Sequence, residues 1–354
     1  MKKFLVFCLI GSSLLAADSF QQTYPFTPGQ TLAIDLPGGN ITIVGEARQD
    51  VFVQYEYNNT NRDFELKMSK SSQGISLVGD RGSQRNLRLH LEIKVPNQTD
   101  LDLKTKGGNL DLSNLLGKFV ARTMGGNIRL TNLDGDAQIK SMGGNIAVTD
   151  SKLDGEVETM GGNINLAKTT GLVNCKTMGG NINLDNGEGD YSGGKPLRIE
   201  TMGGNIRVGK APGGLNANTM GGNISVDFVA GDADIETKGG NIEVGELDGS
   251  IRAETLGGRI DVRVTGQSAG KNDVELESAG GDIRLVLPSG FSAKFDVKIE
   301  QTRHGDRNYE IRSDFPLNVN KKQTDVIGLG EANGGANTVR IRTVDSDVEI
   351  IKSN

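Results

Sequence analysis

The side chains best suited to chemistry in this 354-residue chain recur at fixed intervals rather than clustering in one motif. Glu236, Glu254 and Glu277 stand 18 and 23 residues apart, each three places before a Gly-Gly pair. Stacked carboxylates of this kind suit a divalent cation or a basic partner, and Glu236 with Glu254 would serve as the acid/base pair of a carbohydrate-acting enzyme. The stretch Asp185-Asn186-Gly187-Glu188-Gly189-Asp190 brings three carboxylates together on flexible backbone. It resembles a fragment of a calcium loop, without the ligand spacing or the closing Glu of an EF-hand, so any calcium bound there would be weak. The only histidines, His90 and His304, are far apart, and no nucleophile, base and orienting carboxylate follow a triad order. Zinc-ligand spacing is absent as well, so the chain is read without catalytic residues, cofactor or resident metal.

Sulfur provides a different set. Met124, Met142, Met160, Met178, Met202 and Met220 each precede a Gly-Gly pair, and they make up six of the eight methionines. Together with the three glutamates they form the candidate interaction surface. Asn109, Asn127, Asn145, Asn163, Asn181, Asn205, Asn223 and Asn241 each follow such a pair. One strand spacing apart, their amides are expected to stack as a structural ladder, donating up and accepting down.

All of these positions belong to one phrase, Thr-Met-Gly-Gly-Asn-Ile, repeated with variations ten times. The first glycines are Gly107, Gly125, Gly143, Gly161, Gly179, Gly203, Gly221, Gly239, Gly257 and Gly280. The interval is 18 residues, except for steps of 24 and 23 that carry insertions. Apolar residues alternate on both sides of each pair, as in Phe119/Ala121 before Gly125-Gly126 and Ile128/Leu130 after it. Period-2 alternation means strands, and 18 residues cannot hold a crossover helix, so each coil must hydrogen-bond in parallel to the next. The fold class is therefore all-β, a single-chain parallel β-solenoid. Each coil should hold two short strands and about four inward apolar side chains. The Gly-Gly pair turns one corner, on the expectation that it uses φ > 0, and turns such as Leu133-Asp134-Gly135 make the other. Thr at the start of the phrase points inward and Met outward.

Around this body the chain divides into residues 1–17, a signal peptide; 18–100, a β-rich N-terminal module continuous with the solenoid; 101–287, the repeats; and 288–354, a C-terminal β cap. Lys2 and Lys3 before the apolar run Phe4–Ala17 have the pattern of an export signal. The mature chain would retain Cys175 alone, hence no intrachain disulfide, and no transmembrane segment. An early copy, Pro37-Gly38-Gly39-Asn40-Ile41, stands isolated from the repeat run. A net charge of −6 excludes nucleic acid as a partner.

The layout resembles the bacterial putative-adhesin family of secreted β-solenoid proteins, a domain family of unknown function. The resemblance rests on Leu32–Ile43 with its Pro-Gly-Gly-Asn-Ile, on the strand Leu91–Pro96 and on the serial Thr-x-Gly-Gly-x-Ile phrases. Val339-Arg340-Ile341-Arg342-Thr343 and Asp347-Val348-Glu349-Ile350 close it. It implies a β-helix in the periplasm or at the cell surface with no recognised catalytic set. The expected function is that of an exported, non-enzymatic, adhesin-like or scaffolding protein with an envelope polysaccharide or protein as partner. The alternative is a carbohydrate-acting β-helix lyase or hydrolase. Charges three places before the pairs run from basic (Lys104, Arg122, Lys140) to acidic (Glu236, Glu254, Glu277), which also suggests head-to-tail self-association.

Overall fold

The computed structural model describes residues 18–57, 65–80, 88–185, 194–266, 271–302 and 308–353. The signal-peptide segment, Asn186–Asp190 of the carboxylate-rich insertion and His304 lie outside these residues. The described chain is all-β, with its 31 strands joined in one continuous, mostly parallel sheet. No helix among the described residues is long and apolar enough to cross a membrane.

The solenoid is built from two in-register ladders. After the Gly-Gly pairs, Leu110, Ile128, Ile146, Ile164, Ile182, Ile206, Ile224, Ile242, Ile260 and Ile283 stack on one another. Before the pairs, Thr105, Thr123, Ser141 and Thr159 run in register. The insertion after Asp185 leaves this stacking intact, because Ile182 pairs with Ile206 and Cys175 with Ile199 across it. In-register stacking is what an exact repeat favours: each buried side chain packs on its own kind, and slipping one residue would send the whole core face into water.

The core is larger per coil than four apolar residues. In Ile128–Ser141, the side chains of Ile128, Leu130, Leu133, Ala137 and Ile139 are all buried. Leu133 joins the others because Asn132 adopts a left-handed conformation (φ 55°) that resets the in–out alternation. Asn114, Asp150 and Lys168 do the same in neighbouring coils. Each such coil thus bends a further time, and the bend gains one more inward side chain, contributing about 1.5–3 kcal/mol where that side chain is a leucine.

Both ends of the chain are nested. The strands Thr31–Leu36 and Asn40–Glu46 do not precede the stack but sit inside it. Leu32 pairs with both Ile75 and Leu101, and Ile41 with both Leu91 and Leu110. The early Gly-Gly-Asn-Ile copy is therefore not isolated: it is the coil on which the Gly107 repeat rests. The same nesting recurs at the other end. Asn337–Val344 lies between Val274–Ser278 and Ala293–Glu300, and Val348–Ser353 between Ile283–Pro288 and Ile311–Ser313. Beyond these coils, antiparallel strands finish the sheet, Asp18–Pro25 on Asp50–Tyr57 at one end and Leu317–Lys321 on Asp325–Ala332 at the other. Such strands cover what would otherwise be an open coil edge.

Cys175 belongs to the core, and burial pushes its thiol from 9.0 up to about 12. A raised pKa favours the protonated folded form, so no stability is lost below pH 9. Above it the unfolded chain ionises and the folded chain does not, at about 1.4 kcal/mol per pH unit until the folded thiol also titrates. Cys175→Ala should remove this slope, measured by denaturant unfolding between pH 8 and 11. The native thiol should also label with iodoacetamide only as fast as the protein opens.

Candidate functional site

The repeated corner is held by three nested interactions. The first is the close approach of the second glycines. A Cβ on Gly126 would lie 1.7 Å from the Gly108 carbonyl oxygen, and the equivalent distance is 1.9–2.1 Å at Gly144, Gly162, Gly180, Gly204, Gly222, Gly240, Gly258 and Gly281. From Gly126 to Gly281 none of these glycines has a left-handed φ. The expectation of positive φ holds for the second glycines Gly39 (φ 113°) and Gly108 (φ 124°) and is corrected for the later coils, where the second glycine is required because the coil below leaves no room for a side chain. The first glycine faces open space. A Cβ at Gly107, Gly125 or Gly257 would meet nothing within 4 Å.

That approach makes the second interaction available. The hydroxyl of Thr159, buried at the first position of its phrase, donates to the Gly144 carbonyl of the preceding coil at 2.8 Å and accepts the N–H of Gly162 in its own coil at 3.3 Å. Ser141, Thr177, Thr201, Thr219, Thr237, Thr255 and Ser278 repeat the arrangement. Each hydroxyl satisfies a buried donor and a buried acceptor that the turn would otherwise strand.

The asparagines supply the third. They do not stack amide on amide. Each Oδ1 accepts the backbone N–H at the same position in the next coil, through nine successive bonds of 2.7–2.9 Å from Asn40 to Arg259. The backbone wins because its N–H would otherwise lack a partner at the corner, and the carboxamide reaches it from one coil below. True amide-to-amide rungs occur elsewhere, between Asn132 and Asn114 at 2.9 Å and between Asn183 and Asn165 at 2.8 Å. Arg259 interrupts the row, and Asp282 restarts it by accepting the N–H of Asp347, whose own carboxylate accepts that of Glu310. Asn40 and these aspartates were missing from the sequence-derived ladder, although the early Gly-Gly-Asn-Ile copy carried the signal for Asn40. The Nδ2 groups of Asn109 to Asn241 face outward and have no protein partner among the described residues.

Beside them runs the methionine row. Met124, Met142, Met160, Met178, Met202 and Met220 are 44–52% exposed, so the corner does not fold them away. Leu256 continues the row at 55% exposure, and Lys106, Lys238 and Ala279 occupy the same place in other coils.

The glutamates also stand in register, Glu236 beside Glu254 and Glu254 beside Glu277. Arg252 holds the Glu254 carboxylate at 2.6 Å and also approaches Asp234 at 3.5 Å. Among the described residues no group of three His, Cys, Asp or Glu side chains could hold a metal ion. The row does not end acidic: Glu277 pairs with Arg342, and Arg342 with Lys298. In mid-stack Lys140 meets Glu158 at 2.6 Å and Lys176 meets Glu200 at 2.8 Å, and both lysine pKa values are raised, first by those hydrogen bonds. His90 lies near Glu92 at 3.1 Å on the outward face of Leu89–Pro96, whose other face is buried. A shallow depression of about 600 Å³ crosses the strands before the later pairs, and two of its carboxylates face arginines, Glu275 with Arg340 at 3.6 Å and Asp234 with Arg252 at 3.5 Å.

The Toastrack DUF4097 family model matches residues 30–228 and again 199–351. No curated protein matches the chain. Solved structures align along nearly its whole length. A putative cell adhesion protein from Clostridium sporogenes ATCC 15579 shares 9% identity over 95% of this chain and 100% of its own, with a TM-score of 0.19. A putative adhesin from Bacteroides fragilis NCTC 9343 shares 9% over 95% and 99%, with a TM-score of 0.25. A putative adhesin from Parabacteroides merdae ATCC 43184 shares 9% over 94% and 96%, with a TM-score of 0.24. Superpositions this loose carry no argument about activity.

Two substitution pairs test the corner by denaturant unfolding. Gly126→Ala should destabilise by about 1–3 kcal/mol or more, as overpacking against backbone does, while Gly125→Ala should stay within about 0.5 kcal/mol. Thr159→Val should cost about 1–3 kcal/mol by stranding the Gly162 N–H and the Gly144 carbonyl, and Thr159→Ser should be nearly neutral.

Proposed function

This chain belongs to the Toastrack DUF4097 family, and we propose that it is an exported, non-enzymatic protein of adhesin-like or scaffolding type that presents a repetitive surface to a polymer of the cell envelope. The carrying observation is the asparagine ladder. Its nine rungs engage each Oδ1 of the row within the protein and leave a row of exposed amide donors at one strand spacing, about 4.8 Å. A periodic row of donors suits a partner with periodic acceptors, such as a polysaccharide. Individually weak contacts then add through effective concentration, and avidity can exceed single-site affinity by about 10²–10⁴. The charge pattern supports a binding surface over a reaction centre, because the Glu254 carboxylate is neutralised by Arg252 and the glutamates lie side by side on one strand face. Export is supported by the Lys2-Lys3 and Phe4–Ala17 pattern.

A glycan array followed by titration with oligosaccharides of increasing length tests this reading. Affinity should rise with length. Asn145→Asp with Asn181→Asp keeps the Oδ1 acceptors, as Asp282 shows, but removes two outward donors, so it should weaken binding with little change in melting temperature. Failure of every envelope polymer to bind, or release of sugar fragments during incubation, would overturn the reading.

A further inference from the structure

We propose that the methionine row is a binding site for soft monovalent metal ions of the copper(I) class, held between thioethers of adjacent coils. Six consecutive coils place a methionine at the same corner position. The backbone ties these positions together along the axis: Met178 donates to the Met160 carbonyl at 3.2 Å, Gly203 to the Met178 carbonyl at 3.1 Å, and Met220 to the Met202 carbonyl at 3.2 Å. The spacing therefore survives the 24-residue step between Met178 and Met202. Neighbouring methionines stand one strand apart, about 4.8 Å. A metal–sulfur bond of about 2.3 Å, the zinc–sulfur value, puts two sulfurs on opposite sides of one ion about 4.6 Å apart. The two lengths match, and the flexible side chain takes up what remains.

The donor chemistry selects the ion. Thioethers are soft and uncharged, which suits copper(I) and does not suit calcium, magnesium or other hard divalent cations. Room is available, because the first glycine beside each methionine carries no side chain and a Cβ at Gly125 would touch nothing within 4 Å. Structure alone does not demand sulfur here. Leu256, Lys106, Lys238 and Ala279 hold the same position in coils that stack in the same way. Taken in pairs, six thioethers offer three sites. The buried Cys175 is not a competing ligand, since its thiol stays protonated far above neutral pH.

The test is anaerobic competition for copper(I) between the full chain and bicinchoninate, with silver(I) as a redox-inert second probe. A parallel sample carrying Cys8→Ser and Cys175→Ala removes both thiols. The chain should withdraw copper(I) up to one ion per methionine pair, with or without the cysteines. Met142→Leu, Met160→Leu and Met178→Leu together should keep the fold by circular dichroism, because Leu256 already occupies this position, and should cut the copper bound from three ions to one, held by the remaining adjacent pair Met202 and Met220. Retention of all copper by the chelator, or equal binding by the leucine variant, would overturn the assignment. The assignment does not rest on polymer binding: loss of copper binding leaves the asparagine-based reading intact, and loss of polymer binding leaves this one intact.

Discussion

A single hydrogen bond, from a buried Thr or Ser hydroxyl to the glycine carbonyl one coil below, sets the geometry of the solenoid. Turning the chain at Thr-Met-Gly-Gly-Asn frees backbone donors and acceptors beside an apolar core, where unpaired groups are costly. The hydroxyl of Thr159 answers both, accepting Gly162 N–H and donating to Gly144 O. It can do so only while the coils stay close, and only a glycine at the second position permits that closeness. The asparagine side chain then reaches the backbone N–H one coil on, for the same reason. Hydroxyl, glycine and carboxamide are therefore one coupled device, and its repetition accounts for the sequence.

Rigidity at the corner releases neighbouring positions for other uses. Met124 to Met220 protrude at about half exposure and contribute nothing to the hydrogen-bond ladders with their side chains. The outward faces of the strands carry charges that pair along the axis where signs alternate, as in Lys140–Glu158 and Lys176–Glu200. Exposed pairs of this kind contribute little to stability. They set the alternation of charge along the outward strand faces.

Nesting at both ends solves a problem that stacking creates. A coil stack that simply began and stopped would leave unpaired edges. Here the first full coil, residues 31–46, is covered by residues 74–78 and 90–96, and the last, residues 337–353, by residues 293–300 and 311–313. Antiparallel strands then replace parallel ones, so the repeat cannot continue.

The sequence by itself determined the local and periodic features. The 18-residue interval implied parallel coils, the alternation around each Gly-Gly pair identified the core, and parity placed Thr inward and Met outward. These follow from chain geometry over a few residues. Tertiary structure decided whatever depends on which coil lies below. From Gly126 on it made the second glycine a matter of contact with a neighbouring carbonyl rather than of φ, and it directed the asparagine Oδ1 to backbone instead of to another amide. It also set the left-handed bends at Asn114, Asn132, Asp150 and Lys168, although polar residues at 18-residue spacing hinted at them. Most of all, it placed Asn40 beneath Asn109, 69 positions away. Periodicity reads only neighbours in sequence, and a chain that doubles back to seal its ends is arranged by the unsatisfied edges of strands far along it.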